Sequence, residues 1–256
     1  VNKSIKIMKD ELVYYENNTE KFIRFLNVIQ RHKVDRFIFS SSAAVYGTTK
    51  DLKAIREETI CSPDNPYGRS KLINEWLLQD IAKSNSLRFI ILRYFNVVGT
   101  GGDNLRGPRS HRATHLVRLA CQTAIYPDRT LTIFGDDYST LDGTCVRDYI
   151  HIKDISSAHL CALEALSSGV GGIYNCGYGY GVSVKEVVTT LETIIERHLP
   201  VEIGPRRVGD SPSLIADSRK LQEDLGWKPK KQSLNEAIVS SLHWEMYLKS
   251  CNEVTS

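Results

Sequence analysis

Tyr67 and Lys71 stand four residues apart in Pro66-Tyr67-Gly68-Arg69-Ser70-Lys71. On a helix that spacing puts both side chains on one face, one turn from each other. A tyrosine is a poor base at neutral pH because its free pKa is about 10. A lysine ammonium beside it favours the phenolate and is expected to lower that pKa. Upstream lies Ser40-Ser41-Ser42-Ala43-Ala44-Val45-Tyr46-Gly47. A serine hydroxyl delivered there by the end of a strand can relay a proton. Tyrosine, lysine and serine so arranged can take a proton from an alcohol while hydride leaves the same carbon. The plainer alternative for Tyr67 and Lys71 is an exposed pair at a helix start; Ser42 and its strand weigh against it.

The elements that must hold these residues are legible in the apolar pattern. Leu12, Val13, Phe22, Ile23, Leu26 and Ile29 recur at helical spacing over residues 10–32. Residues 34–42, containing Phe37-Ile38-Phe39, read as a strand, and 48–65 as a loop with charge and proline. A helix after Tyr67 runs through Leu72, Trp76, Leu77 and Ile81, and Phe89-Ile90-Ile91-Leu92-Arg93-Tyr94 is a nearly continuous apolar strand of the kind parallel sheets require. Helix, strand, helix, strand at this spacing argues for an α/β, doubly wound parallel sheet. From Gly99 to Arg112 the composition turns to Gly, Arg, Asp and Pro, a long loop of the sort that tends to be functional. Beyond it the pattern predicts helices near 113–125, 154–168, 218–225 and 234–248, and strands at 131–134 and 173–176. A further helix opens with the capping box Ser183-Val184-Lys185-Glu186. Residues 1–98 and 99–256 divide accordingly into a Rossmann-like unit and a smaller α/β substrate-binding unit, some of whose segments pack back on the first sheet.

Composition narrows the class. The 256 residues are 41% hydrophobic and 25% charged, enough for a core, and the net charge of +3 is spread along the chain. No basic block argues for nucleic acid, and no apolar run approaches the roughly eighteen residues of a membrane span. Cys61, Cys121, Cys145, Cys161, Cys176 and Cys251 contain no C-x-x-C pair and read as reduced thiols of a cytoplasmic protein. His151 has no second His or Cys at metal spacing, so no metal is expected; Asp148, Tyr149 and His151 read as structural. Val1-Asn2-Lys3-Ser4 lacks a signal-peptide pattern and reads as mid-domain sequence. Gly177-Tyr178-Gly179-Tyr180-Gly181 follows a strand and opens a helix, but its third glycine is misplaced for a dinucleotide loop and no acidic ribose ligand follows. It reads as a connection, which leaves the glycine-rich phosphate loop and its first βα units, on the order of 80–90 residues at about 30 per unit, unaccounted for.

A set of stretches running nearly the whole chain resembles the UDP-glucose 4-epimerases of the extended short-chain dehydrogenase/reductase family. They are Tyr14-Tyr15-Glu16-Asn17-Asn18, the serine run and the Tyr67 helix start, then Leu92-Arg93-Tyr94-Phe95-Asn96, Ile133-Phe134-Gly135-Asp136-Asp137-Tyr138, Asp142-Gly143-Thr144-Cys145-Val146-Arg147-Asp148-Tyr149-Ile150-His151, Pro205-Arg206-Arg207-Val208-Gly209-Asp210 and Leu225-Gly226-Trp227-Lys228-Pro229. Tyr-x-x-x-Lys alone is weak; the combination is specific. The resemblance implies NAD as cofactor and a UDP-sugar as substrate. It makes Tyr67 the base at the sugar 4-hydroxyl, Lys71 the holder of the nicotinamide ribose and Ser42 the partner of the reacting hydroxyl. Ser40, Asn17 and Phe95 join Tyr67 and Lys71 as cofactor contacts. Asn96, Arg147, Arg207 and Asp210 match the UDP-sugar site, where guanidinium forks suit a pyrophosphate; Thr132, Ile133 and Phe134 match the segment against uracil. The resemblance also implies a homodimer through the helices near 10–32 and 68–83.

The chain departs from that pattern in four places. The start aligns after the phosphate loop, so the sequence reads as an incomplete or split copy that binds NAD poorly, and its activity alone is open. Thr19-Glu20-Lys21 replaces a small, glycine-containing helical turn. His115-Leu116 stands where Asn-Leu supplies a phosphate contact; the imidazole still donates, better when protonated. Leu214 stands at the sugar-pocket gate in place of a tyrosine, which predicts tolerance of UDP-N-acetylglucosamine. The competing readings are a UDP-N-acetylglucosamine 4-epimerase, a non-catalytic UDP-sugar-binding remnant, and a fragment that does not fold alone; a sugar 4,6-dehydratase fits less well, because Ala43-Ala44 replaces its acidic pair.

Overall fold

In the computed structural model, residues 11–49, 53–84, 86–101, 106–109, 115–207 and 209–254 are described. The mid-domain reading of Val1–Ile5 and part of the 99–112 loop lie outside them. Glu11–Tyr14, a π-helical turn Tyr15–Glu20 and Lys21–Arg31 follow one another without a break and form α1. Its apolar stripe meets the first strand: Leu26 and Ile29 are buried, and the Phe22 ring lies 6.1 Å from Phe37 and 5.0 Å from Phe39.

Three parallel strands make the main sheet: β1 (Arg36–Ser42), β2 (Arg88–Tyr94) and, across a long connection, β7 (Gly172–Cys176), in the order β1-β2-β7. The central strand is buried on both faces, with Ile90, Ile91 and Leu92 fully enclosed, which is why its sequence is continuously apolar rather than alternating. One face carries α1 and α2 (Pro66–Ser84). The other carries α4 (Ile152–Ser167) and α6 (Arg219–Leu225), packed with Ile155, Leu166, Leu221 and Trp227 around Ile90 and Leu92. β7 and both of these helices come from the second half of the chain, so the first sheet is completed by later sequence.

The remaining strands are two to four residues long. β3 (Asn96–Val98) pairs with β6 (Tyr149–His151), and β4 (Leu131–Phe134) with β9 (Val201–Gly204). β5 (Val146–Arg147) lies between β10 (Ser213–Leu214) and β8 (Val182–Ser183). They gather around a core of Val117, Ala120, Leu131, Ile133, Val187, Leu191 and Ile238, closed by α3 (Leu116–Ile125), α5 (Val184–Ile195) and α7 (Leu234–Val254). Only β4 among these strands stands out in the sequence; the others are too short for a two-residue period to show. The capping box on α5 forms as expected, with Ser183 accepting from the Glu186 backbone and Glu186 from the Ser183 backbone. Among the described residues no helix is long and apolar enough to cross a membrane, and no cluster of His, Cys, Asp and Glu could hold a metal ion.

Candidate active site

Ser42, Tyr67 and Lys71 meet at the carboxyl end of β1. Asn65 opens α2, its side-chain oxygen accepting from the Gly68 N–H at 2.9 Å, and Pro66 follows where a helix needs no N–H. Gly68 has no room for a side chain: a Cβ would lie 2.4 Å from the Ala44 carbonyl oxygen and 2.9 Å from Pro63. That close approach presses the first turn of α2 onto the chain leaving β1 and puts Tyr67 beside Ser42. The Ser42 Oγ accepts from the Ala44 N–H at 3.2 Å, capping the short 3-10 turn Ala43–Val45.

Tyr67 is 37% exposed, with Tyr14 edge-on at 6.3 Å between ring centres. Burial pushes its phenol above the ordinary value; hydrogen bonding with Ser42 pulls the other way, and Tyr14 adds to the rise. Lys71 donates from Nζ to the Ser40 carbonyl at 2.9 Å and lies over the rings of Phe39 and Tyr67, 5.2 and 5.8 Å from their centres. Burial holds its ammonium below the ordinary value, with Glu75 opposing. The expected lowering of the Tyr67 pKa by Lys71 is therefore not met in this chain. The ammonium is engaged with a backbone carbonyl and faces the ring, so desolvation dominates.

The residues expected to hold a cofactor lie around this point with one outlier. The Ser40 hydroxyl is 2.9 Å from Tyr94 Oη, which is in turn 2.8 Å from His159 Nε2. Phe95 is buried among Ala43, Val45, Tyr46 and Leu72. Asn17 sits exposed on the π-helical turn of α1, its amide donating to the Val13 carbonyl and its oxygen accepting from Lys21 Nζ at 2.5 Å. Lys21 thus faces solvent and ties down Asn17 rather than crowding the strand.

A second feature is a cavity of about 140 Å³ among the short strands. It is lined by Asn96, by His115 and Leu116 at the start of α3, by Thr132, Ile133 and Phe134 of β4, and by Arg147, Arg207 and Asp210. Nine of the eleven residues expected to bind substrate are brought together here. Sequence reasoning missed Leu119, Leu131, Cys145, Tyr149 and Val184, which complete the lining. Tyr149 read as structural; its burial beside Arg147 was signalled only by its place in the motif. Asp148 is structural: its carboxylate accepts from the backbone N–H groups of Tyr178, Gly179 and Ala216. Two of those bonds occupy the Tyr178 and Gly179 amides at the centre of the glycine-rich stretch, in keeping with a connection rather than a phosphate loop.

The cavity is electropositive by construction. Arg147 donates to the Val146 and Ser211 carbonyls at 2.9 and 2.7 Å, and its other terminal nitrogen is 3.6 Å from Asp210. Arg207 donates to Asp210 at 2.7 Å, with its guanidinium 4.9 Å from the Phe134 ring centre. Two guanidiniums share one carboxylate, and the α3 N-terminus adds its partial positive charge. Burial and Arg118 hold the His115 imidazole below its ordinary pKa, so it is neutral at pH 7 and gives no charge.

Ser42 and Leu214 are the two expected substrate residues outside the cavity, and they join it to the proton centre. Leu214 pairs with Arg147 in the β10–β5 register while its side chain packs against the cluster of Val45, Tyr46 and Phe95. Phe95 and Asn96 are neighbours, one in that cluster and the other on the cavity wall. The arrangement suits an anionic ligand held by the arginines that reaches back to a phenol and a serine.

Residues 5–177 match the NAD dependent epimerase/dehydratase family. A UDP-glucose 4-epimerase of Azospirillum brasilense is 45% identical over 239 residues, covering 93% of this chain and 68% of the relative. Among solved structures, the UDP-glucose-4-epimerase of Stenotrophomonas maltophila, with bound NAD and formylated UDP-arabinopyranose, superposes with a TM-score of 0.90 at 34% identity, over 98% of this chain and 75% of that one. The UDP-Glc/GlcNAc 4-epimerase of Campylobacter jejuni gives 0.80 at 41% identity, over 95% and 74%.

Proposed function

The chain belongs to the NAD dependent epimerase/dehydratase family, and from that premise we propose that it is a UDP-glucose 4-epimerase, interconverting UDP-glucose and UDP-galactose. The observation that carries this reading is the junction at Phe95-Asn96 and Leu214 between the Ser42–Tyr67–Lys71 centre and the arginine-lined cavity. Arg147, Arg207 and the α3 N-terminus at His115-Leu116 hold the diphosphate. Asp210 accepts from ribose hydroxyls, and Thr132, Ile133 and Phe134 lie along the uracil. Asn96 and Ser42 orient the sugar so that its 4-hydroxyl meets Tyr67 Oη. As the phenolate, Tyr67 takes the proton of that hydroxyl, Ser42 Oγ relaying it, and returns it once the sugar has turned over; because burial raises the phenol above its ordinary value, the step gains as pH rises. NAD, when bound, supplies the hydride acceptor and donor at the sugar C4. The donor set at the carboxyl ends of the parallel strands fits its nicotinamide ribose: the Lys71 ammonium, the Ser40 and Ser42 hydroxyls and the Tyr67 phenol. Phe95 lines the same point, and Asn17, on the outer turn of α1, joins it only once its bond from Lys21 is released.

Incubating the chain with NAD and UDP-galactose and measuring UDP-glucose tests the proposal. Net conversion that needs Tyr67 supports it; tight UDP binding without conversion identifies a binding remnant instead. A second reading has its own observation: Leu214 offers less bulk than a tyrosine at the sugar end, so UDP-N-acetylglucosamine is a further substrate. The exposed Phe25 and Val28 of α1 and Trp76 of α2 support pairing of two copies through these helices, measurable by sedimentation. Cysteines that form no disulfide among the described residues support a cytoplasmic setting, and a division near residues 98 and 99 leaves Ser42, Tyr67 and Lys71 in the first unit and most of the cavity in the second, with Asn96 and β7 crossing it.

A further inference from the structure

Three of the five side chains that α2 buries beyond its first turn are polar. The five are Ser70, Leu72, Asn74, Glu75 and Leu78. Glu75 is fully enclosed and stands one turn after Lys71 and two after Tyr67, so the three share a stripe. Its carboxylate takes three bonds. Oε1 accepts from Ser41 Oγ at 2.5 Å and from Arg93 Nε at 3.1 Å, and Oε2 accepts from the Arg93 terminal nitrogen at 2.7 Å.

The partners of Glu75 belong to a rigid row. Ser41, Arg93 and Asn175 are register partners across β1, β2 and β7, exposed by 2%, 4% and 0%. Arg93 also donates to Tyr46 Oη at 2.9 Å, and Tyr46 donates to Asn175 Oδ1 at 2.7 Å. Ser41 lies between Ser40, whose carbonyl holds Lys71, and Ser42, which lies beside Tyr67 and pulls its pKa down. A buried ion pair is a poor way to gain stability, because apolar side chains of similar volume do as well or better. Its bidentate geometry is directional. A slide of α2 by one residue, about 1.5 Å along its axis, would break it while Leu72 and Leu78 kept apolar neighbours.

We infer that Glu75 is a positioning residue: by clasping Ser41 and Arg93 it sets α2 against the end of β1, and so sets Tyr67 against Ser42 and Lys71 against the Ser40 carbonyl. This rests on the proposed role of Tyr67. Two variants test it, E75Q and the uncharged single-bond deletion S41A, in protein carrying tyrosine labelled with carbon-13 at Cζ; Y67F identifies the Tyr67 resonance. In both variants the Tyr67 resonance moves as the Ser42 bond loosens, while that of Tyr149 in the UDP cavity stays and UDP affinity holds within about twofold. Turnover falls by about tenfold or more in E75Q and about threefold in S41A, with KM little changed, the signature of a misplaced reacting group rather than lost binding. An unmoved Tyr67 resonance in folded variants, whatever their melting temperature, overturns the inference. S41A decides it where E75Q does not fold. A wild-type chain that gives no turnover overturns the proposed activity and leaves the resonance test of Glu75 intact.

Discussion

Ser42, Tyr67 and Lys71 come from one strand–loop–helix unit and meet across long, regular elements, whereas the arginine-lined cavity takes Asn96, His115, Phe134, Arg147 and Arg207 from strands of two to four residues and the loops between them. The two regions also differ in what holds them. At the proton centre, a glycine contact at Gly68 and a buried carboxylate at Glu75 fix one helix against one strand. In the cavity, the ligand-facing groups hold each other: Arg147 and Arg207 are both tied to Asp210. Chemistry that tolerates little displacement is mounted on the sheet. The cavity is assembled from short segments held in three separate pairings, β3 with β6, β4 with β9, and β5 between β10 and β8.

That contrast makes separable predictions. Tyr67→Phe removes the proton acceptor and is expected to cut turnover by about 10²–10⁴-fold, with UDP affinity, read by calorimetry, within about twofold. A parallel collapse of UDP binding would show that the two regions are not independent. Arg207→Met removes one charge-assisted contact, worth about 1.5–3 kcal/mol, so UDP binding weakens about 10- to 100-fold and turnover at saturating substrate changes far less. Leu214→Tyr sits at the junction. It is expected to lower conversion of UDP-N-acetylglucosamine by about tenfold relative to UDP-galactose; equal loss on both sugars counts against a sugar-end gate.

The smallest effect belongs to His115→Asn. The imidazole is neutral at pH 7.5, so UDP affinity there is expected to stay within about threefold. Its pKa is depressed in the folded chain, so between the unfolded value of about 6.5 and the lower folded one the unfolded state binds the extra proton. Stability is full above that window and declines as pH falls through it. The melting temperature of the wild type is therefore expected to drop more from pH 7.5 to 5.5 than that of H115N, by about 1–2 °C.

The proton centre was legible before any coordinates because its signal is local. A four-residue spacing at a helix start and an uninterrupted apolar strand each lie within one turn or one strand. The arginine-lined cavity was legible only as residues in matching motifs, and Tyr149, Cys145 and Leu119 escaped because nothing in their neighbourhood separates a cavity wall from a core. The π-helical turn at Tyr15–Glu20 left no trace in the pattern, although it sets Tyr14 against Tyr67 and Asn18 against Ser70. The short strands β3, β5, β6 and β8–β10 were equally silent.

Residue order alone settles the long elements and the chemistry their spacing permits, because apolar periodicity, caps and i, i+4 faces are properties of neighbouring residues. Folding in three dimensions settles the rest. It turns Lys71 toward a carbonyl and over a ring, so that burial governs the Tyr67 phenol and reverses the expected shift. It brings β7 into the first sheet, gives Asp148 the amides of the glycine-rich stretch, and seats Glu75 between Ser41 and Arg93. Desolvation and long-range hydrogen bonds depend on which distant residues become neighbours, and no local pattern carries that information.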